Sequence, residues 1–299
     1  MSVLIVGSLG LDTIKTPQGR CIDILGGSVS YASISASYFG PVRMVAVAGS
    51  DFPGKYIGLF RSRGIDVRGL VLEKGKTFRW EGEYGWDFGD PRTIATHLNV
   101  FAAFDPLLPA DYRDSRCVFL ANIDPVIQEK VLSQIKRPKL VLCDTMNYWI
   151  DRKRTELLRL IKKVDIFLLN ESEARQLSGQ NSVYAAAKSI MKAGAKSLII
   201  KKGEHGAMLF RGRKVFCVPA YLLESIYDPT GAGDTFAGGF IGYLAASPKI
   251  DDAAMRRAVV YGNIMATFTV EAFSVNRLAA INRKDIERRY REFRKLVTF

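Results

Sequence analysis

Residues 227–240 read YDPTGAGDTFAGGF: small residues lead into an apolar run, with one acid, Asp234, set among the glycines. Phe236, Phe240, Ile241 and Leu244 recur at helical spacing, so a helix opens where the glycines stop. A loop of this kind leaves backbone N–H groups unpaired at the helix N-terminus, where the helix dipole adds partial positive charge. That suits an anion hole for a phosphoryl group in transfer. Asp234 would stand in the first turn, placed to take a proton from an attacking hydroxyl. The competing account is mechanical: Gly231 and Gly233 serve a tight turn, and Gly238, Gly239 and Gly242 permit close helix packing. Taken alone, the stretch supports both equally. It is not a P-loop, since no GxxxxGK[ST] string occurs, and Phe236 stands where the dinucleotide fingerprint needs its third glycine.

The elements that must carry this loop alternate along the chain. VLIVGS (3–8), VRMVAVAG (42–49), CVFLANI (117–123), KLVLCDT (139–145), VDIFLLN (164–170) and SLIIKKG (197–203) are short, continuous apolar runs. Such runs suit strands buried on both faces. Between them SVSYASISASYF, PGKYIGLFRSRG, PVIQEKVLSQIK, DRKRTELLRLIKK and SVYAAAKSIMKAG have helical periodicity. The alternation predicts an α/β fold: a doubly wound, mostly parallel sheet with helices on both faces. Residues 11–25 and 75–100 break the rhythm, being rich in β-formers and turn signals such as Gly89-Asp90-Pro91. They are expected to form a small sheet beside a core made of residues 1–10, 26–74 and 101–299.

Composition excludes several classes of function. The four cysteines (Cys21, Cys117, Cys143, Cys217) form no CxxC pair, and three lie in apolar runs, which reads as reduced core residues. His97 and His205 are the only histidines and neither sits in a motif, so a histidine metal site or a Ser-His-Asp triad has no support. No run approaches the ~18 apolar residues of a membrane span, and MSVLIVGSLGLD lacks the basic start of a signal peptide. A cytoplasmic protein is expected. The net charge of +13 raises the question of nucleic acid. Its densest part, NRKDIERRYREFRK (282–295), is interleaved with Asp285, Glu287 and Glu292, while Ile286, Tyr290, Phe293 and Leu296 supply a buried stripe. That pattern reads as a salt-bridged surface helix rather than a nucleic-acid arm.

Asp228-Pro229-Thr230-Gly231-Ala232-Gly233-Asp234 resembles the second signature of the ribokinase-like (PfkB-type) carbohydrate kinases, roughly D-T-x-G-A-G-D. GGSVSYASISASYFG (26–40) is similar to the first signature, a glycine pair before a small-residue helix. GSDFPGKYI (49–57) resembles the family's G-x-D-x-x-G segment, and LLNESEARQLSG (168–179) carries N-x-x-E as Asn170 and Glu173. IKKGEHGA (200–207) is similar to the nucleotide-loop pattern [TK]-x-G-x-x-G. The five elements stand in the family's order over nearly the whole chain.

The resemblance implies a ribokinase-like core with a β-lid, and ATP-dependent phosphorylation of a hydroxyl on a small sugar or polyol. A nucleoside acceptor is the alternative on the same fold; a non-catalytic nucleotide- or nucleic-acid-binding protein is the alternative of another class. It implies Asp234 as base and the N–H groups of Gly231, Ala232 and Gly233 as anion hole. Asn170 and Glu173 would organise Mg²⁺-bound phosphate through water. Thr230, Lys201, Gly203 and Gly206 would line ATP, and Asn263 would flank adenine. Asp12, Gly26, Gly27, Ser28 and Tyr31 map to the acceptor side, and Asp228 and Ser274 to a monovalent-cation site suited to K⁺. Many sugar-specific relatives have Asn where Tyr31 stands; a phenol lacks the amide's paired donor and acceptor, which argues against ribose. Phe78, Trp80, Tyr84 and Trp86 give the lid an aromatic character compatible with a lid-mediated homodimer.

Overall fold

All six apolar runs form strands of one sheet. The computed structural model describes residues 1–298. In chain order the strands are β1 (Val3–Val6), β2 (Gly10–Thr16), β3 (Gly19–Gly26), β4 (Val42–Gly49), β5 (Ile65–Glu73), β6 (Phe78–Glu83) and β7 (Arg92–His97). They continue as β8 (Cys117–Leu120), β9 (Leu140–Cys143), β10 (Ile166–Asn170), β11 (Ser197–Lys201), β12 (Ala207–Arg211) and β13 (Lys214–Val218). The large sheet has the order β13-β12-β11-β10-β9-β8-β1-β4-β5. It is parallel from β5 to β11, and β12 and β13 add an antiparallel hairpin at one edge.

Continuous apolarity follows from two cores. Side chains alternate across a strand, so Val3 and Ile5 enter one core while Leu4 and Val6 enter the other. The first core is covered by α1 (Ser28–Ser37) and α2 (Gly54–Ser62). The second is covered by α3 (Pro125–Ser133), α4 (Asn147–Arg152), α5 (Arg154–Ile161), α6 (Glu171–Ser178) and α7 (Val183–Lys192). The chain then returns to the first face with α8 (Ala232–Ala246), α9 (Asp252–Val270), α10 (Asn276–Ala280) and α11 (Arg283–Val297). Helices on both faces of parallel strands leave a crevice beyond the strands' C-terminal ends, the usual ligand position in such sheets. No helix among the described residues is long and apolar enough to cross a membrane.

The second sheet, β3-β2-β6-β7, draws its strands from the two segments that break the α/β rhythm. Its two hairpins are antiparallel, and β2 joins β6 in parallel. Three details differ from expectation. Leu296 is exposed, because residues 294–298 outlast the core that Ile286 and Phe293 fill. Cys217 also faces solvent, on the outer edge strand β13; Cys117 and Cys143 are buried, and all four cysteines are free thiols. Within basic α11, Arg289 is buried over the Phe268 ring and bonded to Thr267 and Glu271 (both 2.8 Å).

Candidate active site

The turn into α8 is held from three sides. Asp228, fully buried, accepts the N–H of Thr230 on Oδ1 (2.9 Å) and that of Ser274 on Oδ2 (3.1 Å). Ser274 Oγ in turn donates to the Leu25 carbonyl (2.6 Å). Gly231 then takes φ +75° to start the helix, and a Cβ there would lie 2.4 Å from the Tyr31 ring. Both facts exclude a side chain. Ala232 departs from the expected set of donors, because its N–H closes the turn onto the Pro229 carbonyl (3.1 Å). Among the described residues the amides of Gly231, Gly233 and Asp234 have no protein acceptor, so the free donors shift one residue into the helix.

Asp234 shares this end of the crevice with a buried ion pair that sequence reasoning missed. Lys201 Nζ lies 2.7 Å from Asp144 Oδ2 and faces α8, 3.0 Å from where a Cβ on Gly233 would stand. Burial alone would depress the Lys201 ammonium, but Asp144, Glu173 and Asp234 hold it above its ordinary value, so it stays charged. Asp234 is pushed up to about 7 by burial and by Asp144, with Lys201 opposing. The signal for Asp144 was in the sequence: a single acid ending the apolar run KLVLCDT, at the C-terminal end of β9.

Asn170 ends β10, opposite Lys201 on β11. It caps α6 reciprocally with Glu173: Asn170 Oδ1 accepts the Glu173 N–H (2.8 Å) and Glu173 Oε2 accepts the Asn170 N–H (2.6 Å). Burial pushes Glu173 up to about 7, with Lys201 opposing and Asp144 and Asp90 adding. Gly203 and Gly206 bracket a single helical turn beyond β11, and the Gly206 carbonyl accepts the Lys202 N–H (2.8 Å). Asn263, buried on α9, donates its amide to the Pro219 carbonyl beside that loop.

At the other end, Asp12 on β2 presses on Gly26. A Cβ there would lie 1.9 Å from Asp12 Oδ2. Asp12 Oδ1 is buried without a partner, and burial, then Asp228, pushes the carboxyl up to about 8 against the Gly27 N–H. Ser28 is engaged with Ser8, each N–H donating to the other's Oγ (3.1 Å). Tyr31 is buried with its ring beneath Gly231. Its Oη also lacks a partner and is raised by burial and by Asp228 and Asp12.

The description "pfkB family carbohydrate kinase" fits residues 25–280. The chain belongs to this family. A cytidine kinase of Thermococcus kodakarensis is 30% identical over 253 residues, covering 83% of this chain and 90% of that one. Among solved structures, an Escherichia coli protein assigned as a ribokinase II, with ATP and Mg²⁺ bound, has a TM-score of 0.80 at 19% identity, covering 97% of this chain and 99% of the other. A Salmonella enterica aminoimidazole riboside kinase, complexed with aminoimidazole riboside and an ATP analogue, has a TM-score of 0.78 at 19% identity, covering 97% and 100%. These two likenesses show the fold. The kinase is a phosphotransferase that uses ATP on a hydroxyl acceptor.

Proposed function

We propose that Asp234 is the general base of this kinase and that the free amides at the start of α8 stabilise the phosphoryl group in transfer. The carrying observation is Asp234 beside Lys201 at a helix N-terminus with unpaired donors. Asp234 takes the proton of the acceptor hydroxyl as that oxygen bonds to the γ-phosphorus; the bond to the β,γ-bridging oxygen breaks and ADP leaves. Lys201, aimed by Asp144, contacts phosphate. Thr230, Gly203 and Gly206 line the nucleotide and Asn263 orders the wall beside adenine. Asp12 binds acceptor hydroxyls between Gly26, Gly27 and the small sheet, which serves as lid. Tyr31 shapes this end from below.

Asp144, Glu173 and Asp234 act together on one buried cation, Lys201, an excess of negative charge that suits magnesium. Among the described residues no three acids, histidines or cysteines converge to ligate a metal directly, so Asn170, Glu173 and Asp144 would hold it through its water shell. Magnesium bound there neutralises phosphate charge. Asp228 and Ser274 are engaged in holding the turn, which supports a role as staples. Initial rates in choline chloride against KCl test this, with equal rates expected and a strict K⁺ requirement pointing to a cation site. We place the protein in the cytoplasm.

The similarity to a cytidine kinase favours a nucleoside acceptor. ADP release with cytidine, adenosine, ribose and myo-inositol tests it; fastest turnover on a nucleoside is expected, and turnover confined to ribose or inositol rejects it. Gly26→Ala, which displaces Asp12, is expected to raise the acceptor KM by up to about tenfold, the scale of a lost neutral hydrogen bond. The KM for ATP should stay within about twofold in the same kinetics, since Asp12 acts only at the acceptor end. A pH series follows from Asp234. Below about 7 its carboxyl is protonated and cannot accept a proton, so kcat/KM should fall as pH drops through 7 and level off above. A profile flat from pH 5 to pH 8 contradicts the assignment.

A further inference from the structure

The segment between β6 and β7, residues 84–91, returns to the large sheet at two points. Thr230 Oγ1 donates to Tyr84 Oη (3.1 Å), and Asp90 Oδ2 accepts from Ser172 Oγ (2.9 Å). Thr230 immediately precedes Gly231, and Ser172 lies between Asn170 and Glu173. One loop of the small sheet therefore reaches the starts of both phosphate-facing helices, α8 and α6. Tyr84 is also tied to the acceptor side, since its N–H donates to the Lys15 carbonyl on β2, the strand that carries Asp12 (2.9 Å).

We propose that Tyr84 is a positioning residue for phosphoryl transfer: it holds the side chain of Thr230 and so fixes the entry to the anion hole from the acceptor-binding sheet. This rests on the kinase reading above. Asp228 fixes only the Thr230 backbone, through its N–H. The side chain has Tyr84 Oη as its bonded partner, and Tyr84 is buried while Thr230 is half-buried. The Thr230 hydroxyl gives its proton to Tyr84 Oη. Neither hydroxyl touches the reacting atoms. The pair transmits the lid's position to Gly231, and the Asp90–Ser172 bond anchors the far end of the same loop.

The test is a double-mutant cycle on the full chain, with the best acceptor among cytidine, adenosine, ribose and myo-inositol. Tyr84→Phe keeps the ring and removes the hydroxyl; Thr230→Val removes the other partner. Each is expected to lower kcat by roughly tenfold, the upper scale for one neutral hydrogen bond, with the KM for ATP in Tyr84→Phe within about twofold. The double variant should be no slower than either single, and Thr230→Ser should retain wild-type kcat. An unchanged kcat in Tyr84→Phe, or losses that multiply in the double variant, overturns the proposal. Amide hydrogen exchange on the protein without ligands gives a second readout that needs no turnover. Tyr84→Phe should speed exchange at Thr230 and Ala232, the hydrogen-bonded amides of the turn, as well as at 84–90, and unchanged exchange at both Thr230 and Ala232 also overturns it. A wild-type protein inactive on all four acceptors, with the exchange result intact, would count against the kinase reading and leave the coupling standing.

Discussion

Asp234→Asn is expected to lower kcat by about 10²–10⁴-fold, the contribution of a positioned general base. The amide keeps the shape of the side chain and removes its ability to accept a proton. The neighbouring framework does not depend on that charge: Lys201 remains paired with Asp144 at 2.7 Å, and Thr230 and Ser274 remain bonded to Asp228. The variant should fold with an undiminished thermal midpoint, because a buried carboxylate whose ionised form is penalised by its surroundings has been replaced by a neutral group. Affinity for an ATP analogue should hold or improve, since one negative charge is lost near the phosphates. Steady-state kinetics with calorimetric titration separates the two effects. A loss smaller than tenfold would remove Asp234 from the role of base.

Gly231→Ala carries the second large effect, through two separate obstacles. At φ +75° an alanine occupies a left-handed conformation that costs about 1–2 kcal/mol. Its Cβ would also stand 2.4 Å from the ring of Tyr31, which is itself enclosed by the core. The backbone must shift, and the shift moves the free amides of Gly233 and Asp234. A kcat loss of about 10²–10³-fold is expected, the range seen when one donor to a developing anion is lost. Thermal unfolding should show a lowered midpoint. Adding Tyr31→Ala removes the collision but empties a fully buried core position, so the double variant should unfold at a lower midpoint still. A Gly231→Ala protein with wild-type kcat would mean that this turn does not shape the phosphate site.

The parts of the fold read directly from the chain are those where burial on both faces writes a continuous apolar run. VLIVGS and KLVLCDT are of that kind, and each enters two cores. β5 escaped because IDVRGLVLE forms the edge of the large sheet and mixes buried with exposed positions. The β12–β13 hairpin escaped for another reason: AMLFR and KVFCV are short apolar runs, and β13 lies at the sheet edge with most of its positions facing solvent. The site divides in the same way. Asp234, Asn170, Glu173 and Lys201 stand at the ends of strands or the starts of helices, where local pattern and motif coincide. The Asp144–Lys201 pair joins residues 57 apart and the Tyr84–Thr230 bond residues 146 apart, so both exist only once the strands are ordered in space. The turn after Pro229 is a smaller case. Glycine spacing foretells free amides, but which amide the turn consumes depends on the carbonyl of Pro229.

Phosphorus-31 NMR of the wild-type protein with Mg-ATP and each of cytidine, adenosine, ribose and myo-inositol tests the central claim most directly. The account predicts that, with at least one acceptor, the γ-phosphate resonance declines as a phosphate ester of that acceptor and ADP appear together in equal amounts. ADP accompanied by inorganic phosphate and no ester, or no change with any acceptor, would contradict it.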